Sequence, residues 1–347
     1  MVERAEFGER QAEMTARWFE NVKRTHGDVD AYIATRHAAY LDRWMEAGRF
    51  IPDGAAVLDI GGGNLYEGLV NYFISRGFHY SYRDVDWGSV ACAKDIAGRL
   101  GLNAPSIEHG FNDKLDFPDN SFDAVFSSHC IEHSIDLLRT FEELHRVIRP
   151  GGNLLMAVPF GWEANPEHPY FLGPNEWIAL VQDAGFEIRI AQIGFEYPEI
   201  GADYFIAARK AKKAPAFRIN PVDYRKESFT FVGPDDDSIV YAGAFDQFEG
   251  TAKSNDDGSR ISIAPPKGAA EILPIFRRHS WSGRAVLTSR VNIGTEDLYS
   301  WFSYDMPTRP IPVDRRLWRR SPVTMTTNGK SASSLWFEMI FLGYMWR

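Results

Sequence analysis

The chain has 347 residues, of which 44% are hydrophobic and 24% charged, and its formal net charge is −9. These values indicate a globular protein long enough for two domains, and the negative charge argues against a protein that mainly binds nucleic acid. We expect neither a signal peptide nor a membrane span, because no apolar run of the required length occurs. Only Cys92 and Cys130 are present, too few for a disulfide framework or a structural zinc site, so we expect a reducing, cytoplasmic location.

The first 50 residues are predicted to be helical. Apolar residues recur at three- and four-residue spacings over residues 12–22 and 30–44, without an internal proline. Such a helix pair either packs against a following sheet or acts as a lid over a substrate. Both roles stay open for residues 1–50.

Residues 57–63, Val-Leu-Asp-Ile-Gly-Gly-Gly, predict a buried strand that ends in a glycine-rich loop, and a helix is expected over residues 65–74. The glycines allow positive φ angles and close approach of a ligand to the backbone. Tyr66 stands where the nicotinamide-binding pattern Gly-x-Gly-x-x-Gly needs its third glycine, and the loop lacks the lysine of a phosphate-binding Gly-Lys-Ser loop. Asp59, two residues before Gly61, suits a ligand that carries a positive charge.

Four more strands are predicted before residue 160. The strand over residues 78–82 ends near two acids, and a carboxylate at this place typically accepts hydrogen bonds from the ribose hydroxyls of a nucleoside. We favour Asp86 over Asp84 for that role. Further strands are predicted over residues 106–109, 124–128 and 154–158, with a helix over residues 131–148 that Arg-Pro-Gly-Gly at 149–152 ends. Strands that alternate with helices predict an α/β fold with a doubly wound, Rossmann-like sheet.

Four motifs in this order resemble those of the class I S-adenosylmethionine (SAM)-dependent methyltransferases that act on small molecules. They are Asp59-x-Gly61-x-Gly63, Phe-Pro-Asp-Asn-Ser-Phe-Asp at 117–123, Leu-His-Arg-Val-Ile-Arg-Pro-Gly-Gly at 144–152, and Glu-Trp-Ile-Ala-Leu-Val-Gln-Asp-Ala-Gly-Phe at 176–186. The resemblance covers about residues 50–212. It implies a SAM-binding domain over residues 51–212, a closing antiparallel strand at 204–208, and SAM as the cofactor.

The resemblance also implies which residues hold the cofactor. The candidates are Asp59, Gly61, Gly63, Asp86, Phe111, Asn112 and Ser128. The family usually has a glycine where Leu65 stands, and an acid that holds the adenine amine where Phe111 stands. In this chain Phe111 could flank or stack on the adenine, while the neighbouring Asn112 supplies an amide hydrogen bond.

Three histidines are candidate bases for methyl transfer to a hydroxyl, whose proton must be removed. His129 and His133 follow the fourth strand, at the expected reaction centre, and imidazole titrates near neutral pH. His168 lies on the loop after the fifth strand, where the family contacts its acceptor. The spacing His129-x-x-Glu132-His133 also matches an inverted zinc-peptidase motif, but that motif needs a helical pair of ligands, so we expect no metal at this strand end.

After a charged stretch at residues 210–215 the pattern changes, and a separate β domain is predicted over residues 213–347. Short β-favouring runs cover residues 228–232, 238–242, 260–263, 285–291, 298–304 and 335–341. Because Gly, Pro, Asp and Asn clusters separate them, they predict an antiparallel β-sandwich.

Aromatic residues are frequent in this half. We expect most of them to form its core and some to be exposed platforms for sugar rings; they include Trp281, Tyr299, Trp301, Phe302, Tyr304, Trp318 and Trp336. A local basic patch surrounds Trp318, formed by Arg315, Arg316, Arg319 and Arg320. It is either a solvated loop, a subunit contact or a surface that attracts an acidic acceptor.

The sequence therefore predicts a SAM-dependent methyltransferase with N-terminal helices and an added β-sandwich. Its acceptor is predicted to be a sugar hydroxyl, in a saccharide or a glycosylated metabolite, and the β domain offers a surface for association between copies of the chain. N- or C-methylation of another small metabolite is the alternative. A non-catalytic binding protein that keeps the fold is the third interpretation.

Overall fold

The computed structural model describes residues 4–61, 65–162, 168–197, 201–248, 250–290, 293–313 and 321–347. The chain divides into two compact units. The first consists of Met1–Pro159 and Pro174–Pro221, and the second of Phe160–Gly173 and Val222–Arg347. The domain limits predicted between residues 50 and 51 and between 212 and 213 stay predictions.

Seven strands of the first unit form one mixed sheet. They are β1 (Ala56–Ile60), β2 (His79–Asp84), β3 (Ser106–His109), β4 (Phe122–Ser128), β5 (Ile148–Pro159), β6 (Phe186–Tyr197) and β7 (Gly201–Lys210). Their order in the sheet is β3-β2-β1-β4-β5-β7-β6. Strands β1 to β5 are parallel to one another, and β7 runs antiparallel to both β5 and β6. This arrangement confirms the predicted Rossmann-like sheet.

Six helices belong to the described part of the first unit. They are α1 (Arg4–His26), α2 (Val29–Gly48), α3 (Glu67–Ser75), α4 (Trp87–Leu100), α5 (Leu137–Val147) and α6 (Pro174–Asp183). Within the described ranges, none of these helices is both long enough and apolar enough to cross a bilayer. The core lies between helices and sheet, where Val57 and Leu155 are fully buried beside Trp44 of α2 and Phe73 of α3. Residues 57–58 of β1 and 154–158 of β5 are apolar and buried, as expected where helices cover a parallel sheet on both sides.

The helix predicted over residues 131–148 is confirmed only over Leu137–Val147. Residues Ile131–His133 form one 3-10 turn, and α5 starts only after Asp136, whose side chain accepts a hydrogen bond from the Arg139 N–H. Asp136 therefore provides an N-cap inside the stretch whose apolar spacing is helical. At the other end, β5 already begins at Ile148, before the Arg-Pro-Gly-Gly segment that was expected to separate helix and strand.

The second unit contains two antiparallel sheets. Its strands are β8 (Thr230–Val232), β9 (Ile239–Ala242), β10 (Asp246–Phe248), β11 (Thr251–Ser254), β12 (Arg260–Ile263), β13 (Glu271–Arg278), β14 (Arg284–Thr288), β15 (Ile293–Asp297), β16 (Tyr304–Pro307), β17 (Ile311–Pro312), β18 (Val323–Thr327) and β19 (Met339–Trp346). One sheet has the order β10-β11-β19-β13-β16, with β17 paired to β13 and β8 paired to β19. The other has the order β15-β14-β18-β12-β9.

The two sheets of the second unit share one core, which makes this unit a β-sandwich. Phe276 and Phe341 from the first sheet pack in the same buried cluster as Ile261 and Met325 from the second. On the opposite face of β13, Leu273 and its neighbours pack against Phe171, which belongs to the segment Phe160–Gly173. The predicted antiparallel β domain is thus confirmed in fold class.

Candidate functional site

The carboxyl ends of β1, β2 and β4 meet at one edge of the first sheet and bring the predicted site residues together. Asp59 on β1 is 4% exposed, and its carboxylate accepts a hydrogen bond from the Tyr80 hydroxyl at 2.9 Å. Burial raises the pKa of Asp59 to about 7; the Tyr80 hydrogen bond opposes this rise and the charge of Asp84 adds to it. A carboxyl group with such a pKa is only partly ionised at neutral pH. It becomes fully ionised when a positive group lies beside it.

The loop after β1 packs closely on the segment after β4. Gly61 has φ +60°, and a Cβ atom at this position would overlap the side chain of Cys130. Only glycine combines this backbone conformation with this space. Gly63 lies outside the described residues, so its role stays a prediction.

The two acids after β2 have different surroundings. Asp84 is buried, and its carboxylate accepts the Tyr82 hydroxyl at 2.7 Å and the Asp86 N–H at 2.9 Å. Asp86 is the N-cap of α4 and accepts the N–H groups of Gly88 at 3.1 Å and Ser89 at 2.9 Å. Each carboxylate oxygen can accept more than one hydrogen bond, so both acids stay candidates for the ribose hydroxyls.

The residues predicted to contact adenine follow β3. Phe111 lies edge-on to the His109 ring, at 5.5 Å between centroids, and His109 stacks on Trp87 at 4.5 Å. The Asn112 amide donates to the Ser134 hydroxyl at 2.9 Å. Trp87 directly follows Asp86 and was not among the residues predicted from the sequence. The adenine contacts of Phe111 and Asn112 stay predictions.

His129 directly follows Ser128, the last residue of β4. Its φ is +49°, and its N–H continues the ladder between β4 and β5 by donating to the Ala157 carbonyl at 2.9 Å. The imidazole Nε2 lies 2.7 Å from the Tyr40 hydroxyl oxygen. This places one predicted base at the carboxyl edge of the sheet, on a backbone fixed by the strand.

Three further residues lie beside His129 or its partners, and none of them was predicted from the sequence. They are Tyr40, Arg43 and Asp203. The Tyr40 hydroxyl on α2 donates a short hydrogen bond to Oδ2 of Asp203 on β7. Arg43, one helical turn after Tyr40, lies with Nη1 3.2 Å from Oδ1 of Asp203. Tyr40 and Asp203 are both buried.

The second predicted base, His133, lies in the 3-10 turn, with Nε2 3.8 Å from Oε1 of Glu132. The same Glu132 oxygen lies 3.6 Å from Nδ1 of His129, so one buried carboxylate faces both imidazoles. His168 belongs to the second unit, and the basic patch predicted at residues 315–320 lies outside the described residues.

The edge fits a nucleoside that carries a positive charge. Asp59 supplies a buried negative group, the backbone at Gly61 has no Cβ, and Asp84 or Asp86 offers a carboxylate at the end of the next strand. In Rossmann-like folds, ligands bind beyond the carboxyl ends of the strands, where these residues lie. The fold and the site together define a domain that binds a nucleoside cofactor.

The chain is similar to known methyltransferases. Residues 58–156 match the family described as "Methyltransferase domain". The chain is 33% identical over 212 residues to the sterol 24-C-methyltransferase erg6 of Aspergillus fumigatus, covering 50% of this chain and 54% of that protein. It is 28% identical over 199 residues to the 27-O-demethylrifamycin SV methyltransferase of Amycolatopsis mediterranei, covering 54% and 70%.

A similar solved structure is the Burkholderia thailandensis 1,6-didemethyltoxoflavin-N1-methyltransferase with S-adenosylhomocysteine, at 20% identity and a TM-score of 0.44, covering 61% of this chain and 92% of that one. The chain spans only 37% of the sterol 24-C-methyltransferase of Yarrowia lipolytica. The match at residues 58–156 confirms the predicted methyltransferase domain and its SAM cofactor for this part of the first unit.

Proposed function

We propose that the whole chain transfers the methyl group of SAM to a hydroxyl of a saccharide or glycosylated metabolite. SAM supplies a methyl group on a positively charged sulfur. The acceptor O–H bond breaks, the oxygen forms the new bond to the methyl carbon, and the electrons of the C–S bond stay on sulfur to give S-adenosylhomocysteine. The acceptor proton goes to a base of the protein and then to solvent.

The position of His129 is the observation that supports a hydroxyl acceptor. Its imidazole stands directly after β4, at the same sheet edge as Asp59 and Gly61. A hydroxyl needs a base within reach, whereas an amine acceptor in its neutral form does not. His129 and His133 are the candidates in the first unit, and His168 is the candidate in the second.

The β-sandwich supports a saccharide acceptor. Trp281, Trp301 and Trp336 are 53%, 63% and 49% exposed. They lie after β13, before β16 and before β19, and β13 is antiparallel to the other two strands, so all three lie at one end of the sandwich. Three exposed indoles at one end of the sandwich offer aromatic faces on which sugar rings stack.

The location and assembly of the protein are also part of the proposal. Cys92 and Cys130 are not joined in a disulfide, which supports a reducing, cytoplasmic compartment. We further propose that copies of the chain associate through the second unit.

A second candidate is methylation of nitrogen or carbon in another small metabolite. The relatives favour it, since they include a sterol 24-C-methyltransferase and phosphoethanolamine N-methyltransferase 2 of Caenorhabditis elegans. A binding protein without catalysis is the third candidate.

The test combines SAM calorimetry with a saccharide and metabolite acceptor screen read by mass gain of one methyl. We expect His129→Gln to lower kcat by about 10²–10⁴-fold while leaving the SAM Kd unchanged. His79→Gln is the matched control, because His79 lies at the amino end of β2, away from the carboxyl edge where His129 lies. Full activity of the His129, His133 and His168 variants would favour an N- or C-acceptor, and absence of SAM binding would favour the non-catalytic protein.

A further inference from the structure

We propose that Tyr40 and Asp203 are positioning residues that hold His129 with its proton on Nε2, which leaves the Nδ1 lone pair to take the acceptor proton. The inference rests on the proposed methyl transfer to a hydroxyl. It assigns a role to two residues that lie far from the methyltransferase motifs in sequence. It also states which of the two imidazole nitrogens reacts.

The ionisation state of Asp203 determines whether its carboxyl group can donate a hydrogen bond. Burial raises the pKa of this carboxyl, but the hydrogen bond and charge of His129, the hydrogen bond of Tyr40 and the charge of Arg43 outweigh burial, and the pKa is lowered. Because Arg43 lies 3.2 Å away and the Tyr40 hydroxyl donates to it, Asp203 is ionised near neutral pH also when His129 is neutral. An ionised carboxylate can only accept hydrogen bonds.

The direction of the Tyr40 hydrogen bonds determines which nitrogen of His129 carries the hydrogen. Tyr40 has one O–H, and it donates to Oδ2 of Asp203. At the Nε2 atom of His129, 2.7 Å away, the Tyr40 oxygen can only accept. Nε2 must then carry the hydrogen, and the other nitrogen of a neutral imidazole has none.

A proton taken up at Nδ1 converts the His129 side chain into an imidazolium. Oε1 of Glu132 lies 3.6 Å from Nδ1, and Oδ2 of Asp203 lies 3.7 Å from Nε2. The imidazolium would therefore stand between two buried carboxylates, which favour its charged form. In the described part of the first unit, the charged and titratable groups next to these residues include Arg43 on α2, which pairs with Asp203, and His133, which faces Glu132.

Contacts of the ring and of the backbone hold His129 in a fixed orientation. The rings of Tyr40 and His129 meet edge to face at 5.7 Å, and the Arg43 guanidinium lies over the Tyr40 ring at 5.6 Å. The His129 backbone is fixed by its hydrogen bond to Ala157. A base held on both sides in this way keeps its orientation when a substrate arrives, as in catalytic triads.

The test is the tautomer of His129 in the full chain labelled with ¹⁵N-histidine, read from two-bond ¹⁵N–¹H correlations without any acceptor. His129→Gln assigns the signals. We expect hydrogen on Nε2 in the wild type, a mixture with hydrogen on Nδ1 in Tyr40→Phe, and a His129 titration about one pH unit lower in Asp203→Asn. Tyr72→Phe is the control and should match the wild type, because Tyr72 lies on α3 and its hydroxyl accepts from Arg76.

Hydrogen on Nδ1 in the wild type, or wild-type spectra in both variants, would overturn the inference even if methyl transfer is found. A wild-type Nε2–H tautomer in a chain that methylates no hydroxyl would instead overturn the proposed function. In an active enzyme, Tyr40→Phe should lower kcat about 10- to 100-fold, shift its pH profile and leave the SAM Kd unchanged. A loss confined to SAM binding would contradict a positioning role.

Discussion

At the scale of single residues, Asp59 shows a conflict between binding and stability. Its pKa is about 7 in the folded chain, against an ordinary value of 3.8, because it is buried. Between these values the folded state binds more protons than the unfolded state, so stability falls as pH rises from about 4 to 7 and the full cost persists above. The site thus contains a negative charge that destabilises the chain until a cation binds beside it.

We predict that Asp59→Asn raises the free energy of unfolding of the SAM-free chain by on the order of 2–4 kcal/mol at about pH 8, and by little at about pH 4. The same change should weaken SAM binding. Urea unfolding at both pH values and calorimetry with SAM measure the two effects. Asp95→Asn, an exposed acid on α4, should change neither. Equal stabilisation at both pH values would show that burial of charge is not the cause.

The sequence predicted part of this site. Asp59 and Gly61 lie in a local strand-and-loop pattern, and His129 follows a strand that apolar residues define. Tyr40 and Asp203 could not be predicted in this way, because their partners lie 89 and 163 residues away in the chain. Such contacts depend on helix α2 and strand β7 meeting at one sheet edge, which no local pattern encodes.

At the scale of elements, Glu143 ties α5 to the segment before β4. Its buried carboxylate accepts the Leu115 N–H at 2.8 Å and pairs with Arg146 at 2.8 Å. Burial raises the pKa of Glu143, but these partners outweigh burial and lower the pKa. The carboxylate therefore stabilises the fold above its unfolded pKa of 4.5, and this stabilisation is lost as pH falls toward the lower folded value.

We predict that Glu143→Gln lowers the free energy of unfolding by about 1–3 kcal/mol at neutral pH, because an Arg146 contact and a charge-assisted bond to Leu115 are weakened. The difference from the wild type should shrink as the solution is acidified below about pH 4.5. Urea unfolding across this range measures it. Glu142→Gln, which breaks only an exposed pair with Arg139, should have little effect. A loss independent of pH would point to packing.

The strands of the sandwich were harder to predict than those of the first unit. Strand β13 contains Pro274 in the middle of a sheet, where proline removes a ladder hydrogen bond, so its sequence favours a loop. Strand β19 continues past the predicted end at Phe341 through Gly343, next to a register shift. The run over residues 298–304 is wrong as a strand: Leu298 is buried, but only Tyr299 forms a bridge before β16 begins at Tyr304.

At the scale of the whole molecule, the chain joins a domain of known family to a sandwich whose role the proposed saccharide acceptor would explain. The turns that carry Trp281, Trp301 and Trp336 are linked by backbone hydrogen bonds. The Glu338 N–H donates to the Trp281 carbonyl at 2.9 Å, and the Ser300 N–H donates to the His279 carbonyl at 3.2 Å. The exposed indoles thus stand on fixed loops, as recognition residues commonly do.

We predict that Trp281→Ala and Trp301→Ala each weaken binding of a neutral oligosaccharide to the full chain by about fivefold, since stacking on an aromatic face contributes on the order of 1 kcal/mol. Binding of cellohexaose and maltohexaose, followed by tryptophan fluorescence and calorimetry, measures the change. Phe248→Ala, an equally exposed aromatic of the same unit, should keep wild-type affinity. If neither oligosaccharide binds a chain that still binds SAM, these tryptophans recognise another kind of partner, and the support for a saccharide acceptor is lost.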